Sequence, residues 1–139
     1  MSKVAIVFWS ATGNTETMAN CIAEGAGANG TLVPCAEMTP AKLAEFDVVA
    51  FGCPAMGAEE LEADEFAPMF EACLPQLRDK PIALFGSYGW GDGEWMRSWE
   101  GSCVQGGAIL AAASVICQEA PDEEADAACK ALGRALAGS

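Results

Sequence analysis

Three short segments gather the residue types that can do chemistry. The first is Ser10-Ala11-Thr12-Gly13-Asn14-Thr15. Three hydroxyls and a carboxamide surround one glycine just before an expected helix start, so backbone N–H groups, side-chain donors and the positive end of a helix dipole converge. Such a set suits an anion. It lacks the lysine of a nucleoside-triphosphate loop and the G-x-G-x-x-G of a dinucleotide fold, which points to a monophosphate held by neutral donors. The same residues would also make a plain helix cap. The second segment is Cys53-Pro54-Ala55-Met56-Gly57-Ala58-Glu59-Glu60, and the third is Gly86-Ser87-Tyr88-Gly89-Trp90-Gly91-Asp92-Gly93. Tyr88 and Trp90 stand among glycines, where backbone can approach a ligand closely. Met56 and Trp90 could close on a planar ring from opposite sides through sulfur and π contacts. An aromatic residue in such a loop could equally cover a patch of core.

Each segment follows an apolar run. Val4 to Trp9 is a continuous apolar stretch rich in β-branched residues, the pattern of a strand covered on both faces. A helix is expected from about Asn14 to Ala26, with Met18, Ala19, Ile22, Ala23 and Ala26 on one face and Gly27 and Gly30 closing it. Thr31 to Ala36 reads as a strand at a sheet edge, because Pro34 interrupts it. A short helix over Pro40 to Phe46, a buried strand over Asp47 to Gly52 and a helix over Asp64 to Leu77 follow. Pro81 to Ser87 repeats the strand pattern, Gly93 to Gly106 the helical one, and a last strand occupies part of Ala108 to Gln118. The final helix starts at Pro121 and the acidic Asp122-Glu123-Glu124, ends with Lys130 and Arg134, and carries the stripe Ala125, Ala128, Cys129, Leu132 and Leu136. Alternation of buried strands with helices implies a parallel sheet of five strands with helices on both faces. No linker or repeat divides residues 1–139, which read as one domain. Ligands in such sheets bind at the carboxyl ends of the strands, where all three segments fall.

Composition narrows the chemistry. The 139 residues include 20 acids and 7 bases, giving a net charge of −13, and no histidine. A hydrophobic fraction of 52% provides a core despite that charge. Scattered cations and an acidic surface argue against nucleic acid. Without histidine, imidazole bases, Ser-His and Cys-His pairs and most zinc sites are excluded. The seven cysteines are at least 12 residues apart, so no C-x-x-C metal or redox pair exists, and they read as small buried hydrophobes in a reducing cytosol. Neither a secretory signal nor a membrane span is visible.

Taken together, Trp9 to Glu16, Gly52 to Gly57 and Leu84 to Gly93 closely resemble the flavodoxins, above all the short-chain type of clostridia and related anaerobes. The resemblance runs the length of the chain, with the motifs in the same order and spacing. It implies a flavodoxin-like sandwich with strand order 2-1-3-4-5, one non-covalently bound FMN, and electron transfer rather than catalysis. By the same resemblance, Ser10, Thr12, Asn14 and Thr15 hold the phosphate with the amides of Ala11 and Gly13. Met56 and Trp90 pack on the two faces of the isoalloxazine. The Gly57 peptide turns its carbonyl to the N5–H of the semiquinone, and Glu59 accepts from N3–H. Gly89 and Gly91 supply backbone donors to the pyrimidine oxygen, and Ser87 lies by the ribityl chain. Pro54, Ala55 and Tyr88 belong to the same loops. Three positions depart from common family patterns: Ala11 replaces a glycine, Pro54 a serine that reaches the phosphate, and Ala58 an acid.

The implied role is a low-potential one-electron carrier shuttling between semiquinone and hydroquinone among redox enzymes. Reduced flavin is anionic, and none of the three segments contains a cationic side chain, so the second reduction is expected at low potential. The partners implied are reductases and low-potential oxidoreductases met through the acidic surface, with the chain a monomer in the cytoplasm. A flavodoxin-like NAD(P)H-dependent quinone or flavin reductase is the alternative, but it calls for extra loops and cations that this chain lacks. A receiver module would need a phosphoacceptor Asp where Gly52-Cys53-Pro54 stands.

Overall fold

The computed structural model describes residues 2–11, 13–56, 60–89 and 91–138. The elements run β1 (Val4–Phe8), α1 (Asn14–Ala26), β2 (Gly30–Pro34), α2 (Pro40–Leu43), β3 (Val48–Gly52), α3 (Phe66–Cys73), β4 (Pro81–Tyr88), α4 (Glu94–Gln105), β5 (Ile109–Leu110), β6 (Val115–Gln118) and α5 (Glu123–Ala137). All named strand pairings are parallel, in the order β2-β1-β3-β4-β5, with β6 also on β4. This is the expected order, with β2 at an edge where the proline is tolerated.

The central strands are buried on both sides, and the two-residue period of a strand sorts their side chains between two cores. Ala5, Val7, Val49, Phe51, Ile82 and Leu84 face α3 and α4, joined there by Phe66, Phe70 and Trp99. Val4, Ile6, Val48, Ala50, Ala83 and Phe85 face α1 and α5. Trp95 and Trp99 are core, as their spacing of four residues suggests, and Trp99 meets the rings of Phe66 and Phe70 edge-on at 5.5 and 5.7 Å. Helices α1 and α5 lie in backbone contact. A Cβ on Gly25 would run into the Lys130 carbonyl, and one on Gly133 into the Ile22 carbonyl.

Several expectations change in detail. The fifth strand is two pieces: β5 pairs with Pro81 and Ile82, and β6 with Phe85 to Tyr88, separated by 111–114. That interval is Ala-Ala-Ala-Ser, poor strand material at a sheet edge. The helix expected over Pro40 to Phe46 stops at Leu43, and the one expected over Asp64 to Leu77 spans Phe66–Cys73 before tightening into a 3₁₀ turn at Leu74–Leu77. In α5 the buried face is Ala125, Cys129, Leu132, Gly133, Leu136 and Ala137, so Ala128 is off the stripe and exposed. Its start is as read: the Ala125 N–H donates to the Asp122 carboxylate at 2.8 Å.

Candidate functional site at the carboxyl ends of the central strands

Strands β1, β3 and β4 are neighbours, so their carboxyl ends deliver the three segments to one place. The chain reverses its direction of winding between β1 and β3, where ligands gather in open α/β sheets. Main-chain bonds seal the junction. Trp9 N–H donates to the Gly52 carbonyl at 3.1 Å, and Cys53 N–H to the Phe85 carbonyl at 3.2 Å.

One residue ties all three segments together. The Ser87 hydroxyl shares a buried hydrogen bond of 3.0 Å with the Thr15 hydroxyl, and the Ser87 carbonyl accepts the Ala55 N–H at 3.0 Å. Thr15 and Ser87 are 1% and 4% exposed. Two hydroxyls carry two hydrogens, and their mutual bond uses one. The pair therefore carries one hydroxyl hydrogen beyond the one their mutual bond uses.

The first segment is built around Gly13, whose φ of +97° places the αL residue that a side chain would disfavour at the start of α1. Its N–H donates to the Ser10 hydroxyl at 3.1 Å, and its carbonyl accepts both the N–H and the hydroxyl of Thr17, each at 2.9 Å. Gly13, the N-cap residue, brings no side chain of its own to the helix start. Ser10, Gly13 and Asn14 are half-buried and Ala11 is exposed, so the donor cluster lies open at a helix N-terminus, a favourable position for an anion.

The second segment is pinned at both ends. Met56 and Glu60 exchange both main-chain hydrogen bonds, at 2.9 and 3.0 Å, an isolated antiparallel bridge around 57–59. Pro54, Ala55 and Met56 are half-buried. In the third segment Tyr88 ends β4 and is half-buried, its ring 5.4 Å from that of Trp95. Tyr88 thus covers core from the end of β4. Gly89 and Gly91 are exposed, and the Gly89 carbonyl accepts from the Gln118 amide at 3.5 Å. Gly93 repeats the device of Gly13, an αL residue before α4. Thr12, Gly57, Glu59 and Trp90, together with Ala58, lie outside the described residues.

Three features of the site are not legible in the motifs. Glu62 is a buried acid whose carboxylate accepts three backbone N–H bonds, from Asp64, Glu65 and Phe66, at 2.7–2.8 Å. Burial pushes its carboxyl pKa up, but the three donors outweigh burial and hold it below the ordinary value. The Trp95 indole N–H reaches the Cys53 carbonyl at 3.2 Å, bracing the start of the second segment from α4. Arg97 folds back on the third segment, with its guanidinium on Asp92 at 3.0 Å and Glu94 at 2.7 Å. A spaced acid shortly before a helix could have signalled Glu62; nothing in composition signals the other two.

The seven cysteines are all free, six buried and Cys117 half-buried. Burial pushes their thiol pKa values upward, to about 12 at Cys53, Cys103 and Cys129. They are packing residues. Among the described residues, no helix is long and apolar enough to cross a membrane.

The family model described as Flavodoxin matches residues 6–132. A flavodoxin of Megasphaera elsdenii is 44% identical over 137 residues, covering 96% of this chain and 98% of its own length. A flavodoxin of Clostridium beijerinckii is 41% identical over 135 residues, covering 95% and 97%. Among solved structures, the solution structure of the two-electron reduced Megasphaera elsdenii flavodoxin superposes with a TM-score of 0.89, covering 98% of this chain and 99% of that one.

Proposed function

The chain belongs to the flavodoxin family, electron-transfer proteins whose cofactor is FMN, and from that premise we propose that it carries single electrons by cycling FMN between semiquinone and hydroquinone at low potential. The observation that carries this reading is the Ser87 junction, which links the hydroxyl-rich helix start, the 54–60 loop and the glycine-rich loop through a buried hydroxyl pair and a main-chain bond. The donor set fits FMN. Neutral hydroxyls and a helix N-terminus opened by a glycine suit a phosphate monoester, and half-buried apolar loops beside it suit a flat ring.

Ser10, Thr12, Asn14 and Thr15, with the amides of Ala11 and Gly13, hold the phosphate in this proposal. Ser87 orients the ribityl chain; Pro54, Ala55, Met56, Tyr88 and Trp90 line the ring; and Gly89 and Gly91 donate to its pyrimidine edge. Glu59 accepts from N3–H, and Gly57 offers its carbonyl to N5–H, a peptide rotation that a residue without Cβ makes at low cost. Bound FMN supplies the one-electron chemistry. The protein binds it, excludes water from the ring faces, and offers no cation that would favour the reduced anion. Residues 1–139 act as one domain and a monomer. The acidic surface meets reductases and low-potential oxidoreductases, and seven free thiols support a reducing, cytoplasmic setting.

The purified chain should carry the visible spectrum of FMN. Its reductive titration should pass through a blue neutral intermediate whose yield falls in Gly57→Thr. A colourless protein, or direct passage from oxidised to fully reduced flavin, overturns the reading. Steady NADPH oxidation by the protein alone would replace it with a reductase.

A further inference from the structure

We propose that Glu62 is a positioning residue for the cofactor loop: with the Cys53 thiol it latches the chain entering α3 back onto the end of β3, and so holds the Met56–Glu60 bridge in place. This rests on the FMN reading above. Cys53 is a fixed point. Its N–H is bonded to β4, its carbonyl accepts the Trp95 indole from α4 at 3.2 Å, and Gly86 backs so closely on that carbonyl that a Cβ would collide with it. The Glu62 N–H donates to the Cys53 Sγ at 3.4 Å, so the loop returns to the residue from which it left.

The carboxylate holds the other side of the same turn. Its Oε1 accepts from Glu65 at 2.7 Å and Phe66 at 2.8 Å, and its Oε2 from Asp64 at 2.8 Å. Glu62 is not the helix cap, since Glu65 occupies that position of α3. It stands three residues earlier and reaches forward, so one side chain clamps the start of α3 while its own backbone is tied to the end of β3. Bonds to an ionised acceptor are about twice as strong as neutral ones, and a burial of 6% exposure keeps water from replacing them. Inside the latch, Met56 and Glu60 exchange their bridge, and the Ala55 N–H is tied to the Ser87 carbonyl. Loosening the latch lets the Met56–Glu60 bridge open, and re-forming it then costs part of the FMN binding free energy.

The test compares wild type with Glu62→Gln, Cys53→Ala and Asp122→Ala by amide hydrogen exchange of the FMN-free protein and by titration with FMN. Asp122→Ala removes a carboxylate cap on α5, far along the chain from the loop, and controls for general destabilisation. Loss of bonds to a charged acceptor corresponds to roughly tenfold or more. We expect Glu62→Gln to speed exchange at the Met56 and Glu60 amides and to weaken FMN binding, each by about tenfold. Cys53→Ala should move both in the same direction by less, and Asp122→Ala should move neither. Faster exchange confined to Glu65 and Phe66 in Glu62→Gln, with the Met56 and Glu60 amides and the FMN affinity unchanged, overturns the latch. Equal effects in Asp122→Ala overturn it too. If Glu62→Gln does not fold, Cys53→Ala decides on the same two readouts. A wild-type chain that takes up no FMN overturns the functional reading itself, and is distinguished by that first titration.

Discussion

The bond between the Thr15 and Ser87 hydroxyls makes a quantitative demand that can be tested before any electron is transferred. In Thr15→Val the side-chain shape is kept, but Ser87 at 4% exposure becomes a buried hydroxyl without its partner. Stranding such a group costs about 1–3 kcal/mol. Ser87→Ala strands Thr15 at a similar cost. Combining the two removes both polar groups at once, and the double variant should lose little more than either single one, a coupling of about 1–2 kcal/mol. Binding supplies the second half of the test. In the proposed site each variant withdraws one of the two hydroxyls placed at the cofactor, and a hydrogen bond to a charged group contributes about 1.5–3 kcal/mol. FMN affinity should fall roughly 10- to 150-fold. The assay is urea unfolding of the FMN-free proteins across the four-member cycle, followed by fluorescence titration of FMN into each. Stability losses that add to within about 0.3 kcal/mol refute the pairing. Coupled stabilities with unchanged FMN affinity refute the placement of the pair at the cofactor.

Two glycine substitutions should have opposite signs. Gly133→Ala drives a Cβ into the Ile22 carbonyl and should destabilise by about 1–3 kcal/mol, whereas Gly101→Ala, in α4 with open space around it, should stabilise by up to about 1 kcal/mol; thermal unfolding of both decides. Glu62, whose folded pKa is lowered by three backbone donors, contributes stability that is complete above the ordinary carboxylate range and is lost as pH falls through its folded value. Wild type should therefore exceed Glu62→Gln in stability at neutral pH, with the gap closing below about pH 4; urea midpoints that keep a constant gap down to acid pH would contradict this. Thiol titration of the native protein at mildly alkaline pH should find Cys117 reacting first and the six buried cysteines only on unfolding; rapid reaction of several thiols would contradict their burial.

Much of this fold is legible because its strands leave no alternative. Runs such as Val4–Phe8 and Val48–Gly52 are apolar throughout, and only a strand covered on both faces uses every residue of such a run. The helix faces follow from a period of 3.6, except where a neighbour departs from the average. Ala128 fits the stripe by spacing, but α5 turns Gly133 and Ala137 inward because α1 comes close enough for backbone contact. The broken fifth strand is an edge effect: three alanines hold the pairing too weakly to continue it. At the site, donor-rich loops at strand ends could be read from residue types. The double use of Ser87 could not, since it depends on the register that sets β4 beside β3 and on the angle at which α1 presents Thr15. Glu62 was hidden for a similar reason. An acid is ordinarily a solvated residue, and only the turn that points three N–H groups at one carboxylate makes it internal.

Charge takes on a more specific sense once the side chains are placed. Arg97 is the cation whose hydrogen bonds reach a site loop among the described residues, and it is committed to two carboxylates, Asp92 and Glu94, and to the Asp92 carbonyl. Asp92 and Glu94 together therefore keep a net negative balance at the end of the third segment even with a guanidinium beside them. At the first segment the positive potential comes from the N-terminus of α1, a partial charge of about half a unit that fades within a turn. The two ends of the proposed site thus differ in kind. The phosphate end attracts an anion through fixed dipoles and hydroxyls, while the ring end sits in the field of a chain with net charge −13 and offers reduced flavin no compensating cation. In the proposed reading, affinity and potential would then be set at opposite ends of one ligand, so that a dianionic cofactor could be held firmly while its ring accepts electrons reluctantly. In the proposed carrier role the same acids would orient a basic partner over distances limited by the Debye length, about 8 Å at physiological ionic strength.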